Sequence, residues 1–128
     1  MSEHTLLIVE DDRDFAESLK MVVSMREHAV QVVHSGEEAL EVFNPAEHSI
    51  VLMDIRLPGI NGIETLLQIR DRHPTIPILI MTGCERGSED AVLAETAGAT
   101  DLLFKPFKIR QMLDQIDNIL KDEPTENQ

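Results

Sequence analysis

A chain of 128 residues, 42% hydrophobic and 27% charged, has the length and balance of one domain able to bury its own core. Its formal net charge of −13 excludes a direct grip on nucleic-acid phosphates or on an anionic membrane surface, since both demand clustered Lys and Arg. Cys84 is the only cysteine, no run approaches the ~18 apolar residues of a bilayer span, and MSEHTLLIVE is too briefly apolar for a signal peptide, so the chain reads as soluble and cytoplasmic.

Five short apolar runs alternate with helical patterns. The first, Leu6 to Val9, ends in Glu10, Asp11 and Asp12, after which Phe15, Leu19, Val22 and Val23 share one helical face. The second, Ala29 to Val33, precedes Ser35 and Glu38, which have the spacing of a helix-start capping box. Ile50 to Met53 form the third, followed by Asp54, Ile55, Arg56, Leu57, Pro58 and Gly59. Asn61 with Glu64 marks another helix start, and Ile63, Leu66, Leu67 and Arg70 carry a weaker helical repeat. The fourth run, Ile76 to Met81, has Pro77 near its start, where a missing N–H is tolerated, and ends in Thr82 and Gly83. Gly98 stands where the next helix should stop. The fifth run, Leu102 to Phe104, ends in Lys105 and Pro106, and Ile109, Met112, Leu113, Ile116 and Leu120 then line one face of a last helix. The polar stretch Asp122 to Gln128 reads as a tail or the start of a linker, leaving residues 1–121 as the domain.

Short β-rich runs suit strands covered on both faces, and their alternation with helices predicts an α/β fold: a doubly wound (βα)5 three-layer sandwich. Periodicity leaves the strand order open; flavodoxin-like sheets use 2-1-3-4-5.

In such a sheet ligands bind beyond the carboxyl ends of the strands. Glu10, Asp11, Asp54, Thr82 and Lys105 stand at four of those five ends. Taken singly, each has an ordinary explanation: an acid before a helix, a loop acid, a turn hydroxyl, a strand-end charge. Their joint convergence on one edge is what points to chemistry. Crowded carboxylates repel unless a cation joins them, and Mg²⁺ is the hard ion that accepts a few carboxylates while keeping positions for phosphate oxygens. Asp54 is then a nucleophile that takes a phosphoryl group as an acyl phosphate, with Thr82 and Lys105 contacting the phosphoryl oxygens.

The segments LLIVEDD, VLMDIRLPGINGIE, ILIMTG and GATDLLFKPF resemble the successive signatures of response-regulator receiver domains of two-component signalling, from about Thr5 to Leu120. By that resemblance Asp54 matches the phosphoacceptor, Asp11 the direct Mg²⁺ ligand, and Glu10 its helper through water. The backbone carbonyl of Arg56 completes the protein ligands, Thr82 and Lys105 match the switch hydroxyl and the lysine, and the Lys105–Pro106 bond is expected to be cis. Arg56 and Cys84 fall where the family tunes the lifetime of the acyl phosphate. The resemblance implies a signalling switch that catalyses only its own phosphorylation and dephosphorylation. It also implies a sensor histidine kinase or histidine phosphotransfer protein as donor, a downstream protein or effector domain as target, and an output face built from the fourth helix, fifth strand and fifth helix. Homodimer formation on phosphorylation is left open. One departure stands out: three residues before the lysine, where the family commonly has an inward-swinging Tyr or Phe, this chain has Leu102.

Rival classes fit less well. A flavin carrier wants a Ser/Thr/Gly-rich cradle where Glu10, Asp11 and Asp12 stand, and phosphatases or nucleases of this fold class want an Asp-x-Asp directly at the end of strand one or three, where this chain has Glu10-x-Asp12 and Asp54-x-Arg56. The alternative that Leu102 keeps alive is a receiver-fold interaction module that works without phosphorylation. The five histidines have no metal-site spacing and read as surface or strand-end residues.

Overall fold

The computed structural model describes residues 4–121, so the tail from Asp122 to Gln128 lies outside the described residues. Strands β1 (Thr5–Val9), β2 (Ala29–Val33), β3 (Ile50–Asp54), β4 (Ile78–Thr82) and β5 (Asp101–Phe104) alternate with helices α1 (Arg13–Ser24), α2 (Gly36–Val42), α3 (Gly62–Arg72), α4 (Glu89–Ala97) and α5 (Ile109–Lys121). All neighbouring strands are parallel and the order is β2-β1-β3-β4-β5, the flavodoxin-like arrangement expected from the sequence. Strand β4 starts at Ile78, later than the apolar run suggests. Pro77 has no N–H to give to the ladder, and the Ile76 carbonyl is taken by Arg70 Nη1 at 2.6 Å.

Alternation along the strands splits the core in two. Leu6, Ile8, Ile50, Leu52, Leu79, Met81 and Leu103 face α1 and α5, packing on Leu19, Val23, Met112, Ile116 and Leu120. Leu7, Val9, Val51, Met53, Ile78, Ile80 and Leu102 face α2, α3 and α4, packing on Ala39, Leu66, Ile69, Ala91 and Ala94. Each fully buried Leu or Ile contributes roughly 1.5–3 kcal/mol relative to exposure. Two residues of the helical patterns fall outside these layers: Leu67 and Ile109 are exposed, because the buried face of α3 runs through Thr65, Leu66 and Ile69, and that of α5 begins only at Met112.

The predicted helix signals take distinct forms. Asn61 and Glu64 form a complete reciprocal capping box on α3. Ser35 caps α2 through the Glu38 N–H, but the Glu38 carboxylate turns to the N–H of His34 instead. Gly98 ends α4 in the left-handed region at φ +112, a conformation that side chains resist. His48 is not a surface residue: it is buried, with Nδ1 accepting the Asn44 N–H at 3.0 Å and Nε2 donating to Gln31 Oε1 at 2.8 Å. These bonds fix its tautomer, and burial holds its pKa below the ordinary 6.5.

Candidate functional site

The alternation that divides the core also sorts the residues at the carboxyl edge. Asp54 continues the stripe of Ile50 and Leu52, Lys105 that of Leu103, and Glu10 that of Leu6 and Ile8, all on the α1/α5 side. Thr82 continues Ile78 and Ile80 on the side of α4. The sheet therefore gathers the charged groups on one face and brings the hydroxyl from the other.

Asp54 is buried and both its oxygens are engaged: Oδ1 accepts the Arg56 N–H at 2.9 Å, and Oδ2 accepts from Lys105 Nζ at 2.7 Å. Its backbone is pressed against the start of α3. A Cβ added to Gly62 would lie 2.5 Å from the Asp54 carbonyl oxygen, so only glycine permits this approach. Lys105 is aimed from below by Phe15 of α1, whose ring centroid lies 5.2 Å from Nζ. The Lys105–Pro106 peptide bond is cis.

Ligand oxygens of Glu10, Asp11 and Asp54 all lie within 4.8 Å of one another. Glu10 is buried; its Oε2 accepts the Asp12 N–H at 3.1 Å, while Oε1 is buried with no hydrogen-bond partner. Burial, reinforced by the charge of Asp54, pushes the Glu10 carboxyl up to about 7, against the opposing pull of the Asp12 N–H and Lys105. An orphaned buried oxygen in an all-oxygen cluster is the environment a hard divalent cation relieves, and the donor set fits Mg²⁺. Asp12 does separate work as the N-cap of α1, accepting the Phe15 N–H at 3.1 Å.

Thr82 is wholly buried, and its hydroxyl donates to Cys84 Sγ at 2.8 Å rather than to Asp54. Arg56 is exposed apart from its amide bond to Asp54, and Leu102 is buried in the layer under α4. Two neighbours of the site went unmarked in the sequence. His34 Nδ1 donates to the Glu10 carbonyl at 2.9 Å, a contact that only the pairing of β2 with β1 could suggest. Phe15 was legible as a helix-face residue but not as the support of Lys105. A hollow of about 840 Å³ lies at the opposite edge of the sheet, lined by Arg72, His73, Thr100, Gln115 and Asn118, away from this cluster.

The response regulator receiver domain profile matches residues 6–117. The chain belongs to the response regulator receiver domain family. It is 39% identical to the transcriptional regulatory protein CpxR of Escherichia coli (strain K12) over 117 residues, 91% of this chain and 49% of CpxR. It is 40% identical to the response regulator protein FleR of Pseudomonas aeruginosa over 112 residues, 87% of this chain and 23% of FleR. This receiver domain thus spans about half or less of the length of those relatives. Among solved structures, a CheY-like receiver domain protein from Methanospirillum hungatei JF-1 superposes with a TM-score of 0.87 at 27% identity, covering 94% of this chain and 96% of that one. Among the described residues no helix is long and apolar enough to cross a membrane.

Proposed function

We propose that Asp54 accepts a phosphoryl group from a phosphohistidine on a sensor kinase or phosphotransfer protein, and that the resulting charge switches a partner-binding surface. The observation that carries this reading is the buried Asp54 carboxylate, held by Lys105 Nζ at 2.7 Å beside a Glu10 oxygen that has no partner. Asp11, Asp54, Glu10 through water and the Arg56 carbonyl would hold Mg²⁺. Bound there, Mg²⁺ neutralises the carboxylates and the phosphoryl oxygens.

The chain's own residues supply the rest. Arg56 N–H and Lys105 fix the Asp54 carboxylate so that one oxygen can attack phosphorus in line. The new O–P bond forms as the P–N bond breaks, and the departing imidazole takes a proton from water. Lys105 passes from the carboxylate to a phosphoryl oxygen, and Thr82 turns from Cys84 to another. Later, water attacks the same phosphorus, returning inorganic phosphate, the Asp54 carboxylate and a proton. Lys105 is paired in both states, so the Thr82 bond, worth roughly 1.5–3 kcal/mol as a contact to a charged group, is the principal new one. We assign residues 1–121 to the receiver unit, acting in the cytoplasm where its donor would meet it.

The test is incubation with acetyl phosphate, with and without Mg²⁺, followed by intact mass beside the Asp54→Ala variant. A Mg²⁺-dependent gain of one phosphoryl group, absent from the variant, is expected. No gain, and no beryllofluoride binding either, would overturn the reading in favour of a phosphorylation-independent interaction module.

A further inference from the structure

The loop between β4 and α4, residues 83–88, is fastened at two points. Near its start the Thr82 hydroxyl donates to Cys84 Sγ at 2.8 Å, and the Cys84 N–H returns a bond to Thr82 Oγ1 at 3.1 Å. Further on, the Arg86 guanidinium lies over the Phe104 ring, 4.3 Å from its centroid. Thr82 and Phe104 are register partners on β4 and β5, so their side chains leave the same face of the sheet. The loop therefore leaves Thr82 and comes down on Thr82's own cross-strand neighbour. It has room to turn at both ends: a Cβ added at Gly83 or Gly87 would meet nothing within 4 Å, and Gly87 has φ +78.

We propose that this loop is an autoinhibitory clasp, in which Arg86 on Phe104 holds Cys84 against the Thr82 hydroxyl until modification of Asp54 opens it. The proposal rests on Asp54 being the acceptor. A hydroxyl has one proton to give, and here a thiol sulfur, a weak acceptor, takes it. A charged phosphoryl oxygen is the stronger acceptor and draws the hydroxyl round. That rotation breaks both bonds to Cys84, moves the loop, and lifts Arg86 from the ring. The clasp opposes activation by about two- to fivefold, the range of an exposed cation–π contact.

The test is a beryllofluoride titration in saturating Mg²⁺ of the wild type, Arg86→Ala, Phe104→Leu and the double variant, read by fluorine NMR. Each single variant is expected to half-saturate at about two- to fivefold lower beryllofluoride, with the double variant no lower than either, because both remove one contact. Arg86→Lys, which keeps the cation, should fall back towards wild type. A second readout uses the absence of Trp and Tyr from the chain. Phe104→Trp keeps a ring under Arg86 and makes it the sole indole, whose emission should change on beryllofluoride binding. Unchanged half-saturation in both single variants, or unchanged emission while fluorine NMR shows binding, overturns the clasp and leaves Asp54 as acceptor. No binding by the wild type overturns the acceptor reading and the clasp with it.

Discussion

Helices α4 and α5 flank the same strand, β5, from opposite faces, and they are anchored very differently. Helix α5 buries Met112, Leu113, Ile116 and Leu120, and Gln115 Nε2 adds bonds to Asp101 Oδ2 and the Leu102 carbonyl. Arg26, in the turn that follows α1, pairs with Asp117 on its outer side. Helix α4 buries only Ala91 and Ala94, leaving Val92 and Leu93 50% and 49% exposed. Elements with few buried apolar contacts open at lower free energy, so of these two helices α4 is the one that opens more readily. The carboxylates and Lys105 stand on the α5 side, Thr82 and its loop on the α4 side. Under the proposed function, a fixed frame would hold the reacting groups and a looser one would carry the response.

The largest effect that would sharpen this contrast is a cavity in the fixed frame. Ile116→Ala should cost about 2–5 kcal/mol in urea unfolding, while Leu93→Ala, cut from an exposed position, should cost less than about 0.5 kcal/mol. Equal costs would break the comparison.

Helix α4 does have one firm mooring, at its end. Arg70 of α3 donates from Nε and Nη2 to the Gly98 carbonyl, at 3.1 and 2.7 Å, and from Nη1 to the carbonyls of His73 and Ile76. Arg70→Ala should destabilise by about 1.5–3 kcal/mol, with faster amide exchange in the last turn of α4. A variant as stable as wild type would mean that α4 is held elsewhere.

A smaller effect separates the site from the remote edge by pH. Glu10, raised from 4.5 to about 7, binds its proton more tightly in the folded state; its stabilising contribution is full below about 4.5 and is lost as pH rises through about 7. His48, lowered from 6.5, runs the other way: its contribution is present above 6.5 and is lost as pH falls towards its folded value. Each slope is at most about 1.4 kcal/mol per pH unit. Of these two groups only Glu10 stands in the cluster that would hold Mg²⁺, so the ion should raise the Tm more at about pH 8 than at about pH 5.5, and Glu10→Gln should remove that difference. A Mg²⁺ effect independent of pH would contradict the burial of a charged Glu10.

The sequence was most legible where one force dominates. Runs such as Ile50 to Met53 are apolar on both faces and become strands wholly covered by helices, and Asn61 with Glu64 reads directly as a cap. The pattern of α5 was plain because its core face is made of large residues, whereas α4 uses alanines against the sheet and leaves its larger residues outside, so periodicity gave only its stop at Gly98. At the site, residue types at strand ends named the carboxylates, Thr82 and Lys105. Their engagement with Arg56 N–H, Cys84 and Phe15 depends on loop geometry and on contacts between elements, which no spacing encodes. The burial of His48 was missed for the same reason: its partners Gln31 and Asn44 come together only when β2 and the loop before β3 meet.

The most direct measurement is amide hydrogen exchange by mass spectrometry, with Mg²⁺ and with or without beryllofluoride, on wild type and Asp54→Ala. The account predicts altered exchange across residues 83–98, little change across α5, and no response in the variant. Equal change in α5, or a response that survives loss of Asp54, would contradict it.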